Sequence, residues 1–322
     1  MQKRKLGRTE LDVSVIGLGA WPIGNNGANE YGGVEEDAAI QLIRKYIDLG
    51  GNFIDTARGY GERSERLIGH TIQRYFPRGK VIIASKTAGG QSKDSIPKMR
   101  LDLEESLRLL QTDHIDLYQL HQPPEKYDDM MLALDEMEKF RGEGKIRFIG
   151  ASIKGPNVTD ATVELCKQYL ETNRLDTIQL VYSILRQKMR PVIEEAQEQG
   201  VGIIIRTVLE GGLLTGKYQP GHEFSGIDQR TRYEKSHLDV ILKSVADLKQ
   251  NLVLPTPYEN LSQVAIKFSL SAIGGSTLII GARKASEVEE NIRVAGFPNL
   301  PNEIIDYLVN RFFKINDKSN YQ

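Results

Sequence analysis

Short runs of apolar and β-branched residues recur along this chain at roughly even spacing. They are Val15–Leu18, Phe53–Ile54, Val81–Ile83, Ile115–Tyr118, Ile146–Ile149, Thr177–Leu180, Gly202–Ile205 and Thr277–Ile280. Between them apolar positions return every three or four residues, the period of an amphipathic helix. Ala38–Asp48 places Ile40, Ile43 and Ile47 on one face, and Ser95–Leu110 places Met99, Leu103 and Leu107 at four-residue steps. Leu132–Phe140 and Val158–Leu170 behave likewise. Glycines at Gly50-Gly51 and Gly200 stand where a helix would end in a left-handed cap.

Eight strands alternating with helices predict an α/β fold. The strands are near-continuously apolar, which implies a parallel sheet buried on both faces. Eight such units close into a (β/α)8 TIM barrel. Lys3–Val13 reads as an N-terminal β-hairpin with Gly7 in its turn, capping the barrel floor. An open dinucleotide-binding sheet fits less well. In Gly17-Leu18-Gly19-Ala20-Trp21-Pro22-Ile23-Gly24 the third glycine comes too late, and a proline interrupts the helix start. The interval between strands 7 and 8 is long. It contains a helical pattern, Leu261–Ser271, and a Gly- and polar-rich stretch from Leu209 to Thr231. That stretch reads as a binding loop that orders when a ligand binds, with too few apolar residues for a core of its own. One domain over residues 1–322 is therefore expected, with a frayed tail from Asn316.

Composition narrows the function classes. Lys and Arg number 42 against 43 Asp and Glu, a net charge of -1, so nothing draws the whole molecule to nucleic acid or an anionic membrane. The single cysteine, Cys166, excludes an internal disulfide and a thiolate metal cluster, and no metal is expected. The start, Met-Gln-Lys-Arg-Lys, has no apolar run behind it, and no stretch approaches a membrane span, so a cytoplasmic location is expected.

Four polar groups stand at or just past the ends of three successive strands: Asp55 and Tyr60, then Lys86, then His121. In a parallel barrel those ends share one rim, where such folds do their chemistry. Each alone has an ordinary explanation: a helix cap, a packed aromatic, a solvated lysine, a core histidine. Their joint placement is what points to a site. An ammonium beside a phenol stabilises the phenolate, a carboxylate orients the ammonium, and an imidazole can bond a substrate oxygen. Together they make a phenol that gives a proton to an oxygen gaining negative charge. Carbonyl reduction fits, and the hydride it needs implies a nicotinamide cofactor.

The segment Asp55-Thr56-Ala57-Arg58-Gly59-Tyr60-Gly61 with Ser64-Glu65, then Lys86, then Leu120-His121-Gln122-Pro123, resembles the aldo-keto reductase superfamily, and the similarity covers nearly the whole chain. The resemblance implies a (β/α)8 barrel that binds NADP(H) across its rim, with Tyr60 as general acid, Lys86 and Asp55 tuning it, and His121 orienting the carbonyl. It further implies that Ser152 and Gln179 contact the nicotinamide carboxamide and that Tyr182 stacks on its ring. Ile153 stands where relatives carry asparagine. The resemblance assigns Leu209, Gly211 and Lys217 to a pyrophosphate loop. Arg206-Thr207-Val208 stands where many relatives carry Trp/Tyr-Ser-Pro, and Arg206 reads as a phosphate partner or as half of a structural ion pair on the rim. Gly281, Arg283, Glu287 and Asn291 form the adenosine end, where Arg283 meets the 2'-phosphate and Glu287 replaces a common glutamine. This element is expected to open the final helix. Trp21 is expected to line the substrate pocket.

Two other readings stand beside this one. A Schiff-base aldolase or lyase would use Lys86 as nucleophile. A non-catalytic NADP-binding regulatory subunit would keep the cofactor site without turnover. A small carbonyl compound, such as a sugar, is the expected partner.

Overall fold

A computed structural model describes residues 1–24, 34–153, 158–226, 228–271 and 276–316. It begins with an antiparallel pair, β1 (Lys3–Lys5) and β2 (Asp12–Ser14). Eight parallel strands then close into a barrel: β3 (Ile16–Gly19), β4 (Phe53–Asp55), β5 (Ile82–Thr87), β6 (Ile115–His121), β7 (Ile146–Ser152), β8 (Thr177–Val181), β9 (Gly202–Arg206) and β10 (Thr277–Gly281), with β10 pairing back to β3. Every one of the eight apolar runs falls on a barrel strand.

The helices around it are α1 (Trp21–Gly24), α2 (Glu36–Asp48), α3 (Glu62–Tyr75), α4 (Ile96–Leu110), α5 (Tyr127–Gly142), α6 (Asp160–Glu171), α7 (Arg190–Glu198), α8 (Lys235–Asn251), α9 (Leu261–Ser271), α10 (Ala285–Arg293) and α11 (Asn302–Asn316). Their apolar stripes face the barrel, as with Ala39, Leu42, Ile43, Tyr46 and Ile47 of α2. Two expectations change. The long interval also holds α8, whose buried Leu238, Ile241, Leu242, Val245 and Leu248 form a full helical stripe. The segment after Gly281 opens α10, which is followed by α11, so it does not open the final helix. The tail beyond residue 316 lies outside the described residues. Among the described residues no helix is long and apolar enough to cross a membrane.

The barrel interior has two layers. At the lower end Phe53, Ala84, Leu117, Ile204 and Ile279 meet Leu6, Leu11 and Val13 of the hairpin, all buried in one apolar cluster. The hairpin is thus the floor of the barrel. Its turn is seated by backbone contact: the Arg8 N–H donates to the Gly200 carbonyl at 2.7 Å, and Arg8 Nη2 to the Leu175 carbonyl at 2.6 Å. Gly7 has φ +54°, and a Cβ there would lie 2.2 Å from the Gly202 nitrogen, so only glycine passes so close to the foot of β9. Leu6 is fully buried in this plug. Leu6→Ala should cost roughly 2–5 kcal/mol in urea unfolding, the usual toll of a core cavity. A loss below about 0.5 kcal/mol would show that the hairpin does not seal the floor.

Candidate active site

Side chains alternate across the pleat, so the residue two beyond an inward apolar one also points inward. Phe53 leads to Asp55, Ala84 to Lys86, Leu117 to Gln119 and then His121, and Ile204 to Arg206. Above the apolar plug the interior therefore becomes polar. Lys86 is fully buried, and its Nζ donates to Asp55 Oδ1 at 2.5 Å, to the Thr56 carbonyl at 2.9 Å and to the Tyr60 hydroxyl at 3.2 Å. Burial alone would push the ammonium toward neutrality. The Asp55 carboxylate, with the hydrogen bonds to Asp55 and Tyr60, outweighs it, and the Lys86 pKa is raised. Three hydrogen bonds and a stabilised charge leave no free amine, which argues against a Schiff-base nucleophile.

The other oxygen of Asp55 is also occupied. Gln179 Nε2 donates to Oδ2 at 2.8 Å and Gln119 Nε2 at 3.2 Å. The Ser152 hydroxyl donates to Gln179 Oε1 at 3.0 Å. Gln119 was not singled out from sequence. Its one sequence signal is parity, since it lies two residues before His121 on the same strand face.

Tyr60 ends a short 3-10 turn, Arg58–Tyr60, that follows β4. The turn is tied to the first turn of α3. Arg58 Nη1 donates to Glu65 Oε2 at 3.0 Å, the Ser85 hydroxyl donates to Glu65 Oε1 at 2.7 Å, and Thr56 and Ser64 share a hydroxyl bond of 2.7 Å. That is the structural use of Ser64-Glu65. Gly24 packs on the same turn, and a Cβ there would fall 2.3 Å from the Tyr60 carbonyl oxygen. His121 and Trp21 flank the phenol edge-on, with ring centroids 5.8 Å and 4.8 Å away. The Trp21 Nε1 is buried without a hydrogen-bond partner among the described residues. Burial, then the Lys86 and Arg206 charges, hold the His121 pKa down at about 3.

Asp55, Tyr60, Lys86, His121, Ser152, Gln179 and Trp21 are thus brought together. Tyr182 is not. Gln179 points inward, so Tyr182, three residues on, points out. Its ring is 2 % exposed and stacked on Phe268 of α9, with centroids 5.9 Å apart. Arg206 takes an inward place instead. Its Nη2 donates to the Ile153 carbonyl at 2.8 Å, and the Ile153 side chain is buried in the core.

Farther along the rim, Thr207, Glu210, Gly211 and Gly212 all have positive φ, between 51° and 89°. Leu209 is half-buried at this turn, and Lys217 is exposed just beyond it. Glu210 is buried in an ion pair with Arg186 at 2.6 Å and accepts from the Ser183 hydroxyl at 2.5 Å. The following segment has more anchors than its sequence suggests. Arg230 lies over the Tyr218 and Phe224 rings at 4.8 Å and 4.2 Å and donates to the Gly211 carbonyl at 2.8 Å. Past Gly281, Arg283 is exposed before α10, and its backbone N–H donates to Glu287 Oε2 at 2.8 Å. Asn291 is half-buried on the same helix.

The model of the Aldo/keto reductase family matches residues 15–310. The aldo-keto reductase YhdN of Bacillus subtilis is 30% identical over 313 residues, covering 92% of this chain and 89% of its own. The NADH-specific methylglyoxal reductase of Escherichia coli is 27% identical over 91% of this chain and 92% of its own. Among solved structures, the holo form of aldo-keto reductase AKR11C1 from Bacillus halodurans superposes with a TM-score of 0.75 at 27% identity, covering 96% of each chain. With a closed eight-stranded barrel, the buried Asp55–Lys86 pair at its rim and a family match over nearly its whole length, the chain belongs to the aldo-keto reductase family.

Proposed function

We propose that this protein reduces a small aldehyde or ketone to an alcohol with NADP(H), Tyr60 being the proton donor. One observation carries the reading: a phenol hydroxyl lies 3.2 Å from a buried ammonium that a carboxylate fixes at 2.5 Å. A bound dihydronicotinamide would supply the hydride. The carbonyl oxygen gains negative charge as it is reduced, and Tyr60 gives it a proton. The Lys86 ammonium stabilises the phenolate left behind, and Asp55 keeps that ammonium charged and in place. His121, held neutral, offers the oxygen an N–H without adding a charge.

The residues present fit the cofactor. Ser152 and Gln179 pair side by side in the polar layer and offer a hydroxyl and an amide to a carboxamide. The Gly211-Gly212 turn and Lys217 suit a pyrophosphate, since glycines admit close backbone approach and Lys217 adds charge. Arg283 at the start of α10 suits a 2'-phosphate, where the helix N-terminus also favours anions. Glu287 turns one oxygen onto the Arg283 backbone N–H, which draws its charge toward the helix start. A second reading of the cofactor alone is NAD(H), favoured by Glu287 and by the relative named as NADH-specific. The methylglyoxal reductase among the relatives supports a small carbonyl substrate.

Replacing Tyr60 with Phe should leave cofactor affinity intact and cut turnover at least roughly 10²–10⁴-fold. Near-normal steady-state rates with a panel of aldehydes would sink the assignment. Arg283→Ala should weaken NADPH by roughly ten- to a hundredfold, the scale of a charge-assisted hydrogen bond, and leave NADH nearly unchanged. Equal affinities for the two in the unaltered protein would decide for the NAD(H) reading.

The neutral His121 has a pH consequence. The folded chain binds no proton there until about pH 3, whereas the unfolded chain binds one below about 6.5. The unfolded state then holds more protons, so this stability is complete above 6.5 and is lost as pH falls toward 3. Nitrogen-15 spectra of the folded protein should show a neutral His121 ring from pH 8 to pH 5. An imidazolium midpoint near 6.5 would refute it.

A further inference from the structure

We propose that Arg206 makes the nicotinamide end of the site discriminate between cofactor redox states, holding the neutral dihydronicotinamide more tightly than the cationic oxidised ring. The inference rests on the placement of the nicotinamide under "Proposed function" and goes beyond it.

Arg206 is the last residue of β9 and shares the inward pleat face of Ile204, which sits in the apolar plug. Its guanidinium is fastened by the 2.8 Å bond to the Ile153 carbonyl, with a longer contact of 3.4 Å to the Thr207 hydroxyl. The Ile153 backbone N–H donates in turn to the Gln179 carbonyl at 2.9 Å, and the preceding residue, Ser152, bonds the Gln179 side chain. The guanidinium therefore abuts the pair offered to the carboxamide. It lies on the side of the rim that holds Asp55, Tyr60, Lys86 and His121, on the strand before the Gly211-Gly212 turn.

The charge count there is uneven. Lys86 is paired with Asp55 at 2.5 Å, and Arg186 with Glu210 at 2.6 Å. No carboxylate lies within 4.0 Å of Arg206 among the described residues, and its two hydrogen bonds are to neutral oxygens. His121 adds no charge at neutral pH, and protonation of Glu210 would only increase the positive balance. The site thus carries one cation in excess, and an arginine stays protonated even where burial lowers its pKa. Its field reaches the four polar groups, because Arg206 is among the charges that depress His121 and interacts in turn with Tyr60 and Asp55.

The two redox states of the cofactor differ at this end by one positive charge and are otherwise nearly the same molecule. Phosphate and adenine contacts cancel in a comparison of the two. What remains is the interaction of Arg206 with a ring that is either neutral or cationic. At an effective dielectric constant near 20, two like charges within roughly 8 Å repel strongly enough to change affinity by a factor of roughly ten or more.

Calorimetric titration with NADPH and NADP⁺, and in parallel with NADH and NAD⁺, tests this on the unaltered protein and on Arg206→Met and Arg206→Lys. The unaltered protein should bind the reduced form at least roughly tenfold more tightly. Arg206→Met should bring the ratio toward one, chiefly by tightening the oxidised form, and Arg206→Lys should keep it. A ratio at or below one in the unaltered protein overturns the proposal without any variant. So does an unchanged ratio in Arg206→Met, or an equal loss of both forms, which would make Arg206 a phosphate partner. Failure of the unaltered protein to bind any of the four overturns the cofactor assignment itself, and this inference with it.

Discussion

The buried ion pair between Asp55 and Lys86 is the constraint on which the site depends. Removing two charges from water costs several kcal/mol for each, and attraction repays this only if every remaining lone pair and proton is met. Here they are met. Lys86 spends its protons on Asp55, the Thr56 carbonyl and Tyr60, while Asp55 accepts from Gln119 and Gln179 on its other oxygen. The phenol is thus part of the solution to a burial problem. It is held in place because the ammonium needs a third acceptor.

The barrel makes that arrangement possible by dividing its interior. The lower half is an apolar plug, completed by three hairpin residues that no barrel strand supplies. The upper half is a polar layer in which four strands contribute Asp55, Lys86, Gln119 and Gln179 to one network. The plug keeps water from the base of the network, which strengthens each bond above it and raises the cost of leaving any group unpaired. Structure at the floor and chemistry at the rim are two ends of the same close-packed column.

The rim beyond β9 is built differently. Its backbone takes left-handed conformations at four of six successive residues, and two of those are not glycine at all. Thr207 and Glu210 hold such conformations because their surroundings determine them. Glu210 is pinned by Arg186 and Ser183, Arg186 reaches on to the Tyr233 hydroxyl at 2.6 Å, and Arg230 closes over Gly211. The Gly211-Gly212 turn is therefore braced from the segment after β8 on one side and from the segment before α8 on the other.

Much of this was legible in the chain. Eight apolar runs located eight strands, because a parallel barrel buries both faces of each strand and leaves a continuous apolar signal. Asp55, Tyr60, Lys86 and His121 could be named because they sit at or just past strand ends, and these ends share one rim in such a barrel. The α8 helix was missed beside a Gly-rich loop that dominated the reading of its interval. Gln119 was missed because its parity with His121 becomes a signal only once the facing strands are known. The directions of Tyr182 and Arg206 were hidden for the same reason. Pleat parity relative to Gln179 turns Tyr182 outward onto Phe268, and parity relative to Ile204 turns Arg206 inward to Ile153. Local periodicity determined which residues stand on the rim. Only closure of the barrel decided which way each side chain faces and which charges it meets, because those partners lie on strands far apart in sequence.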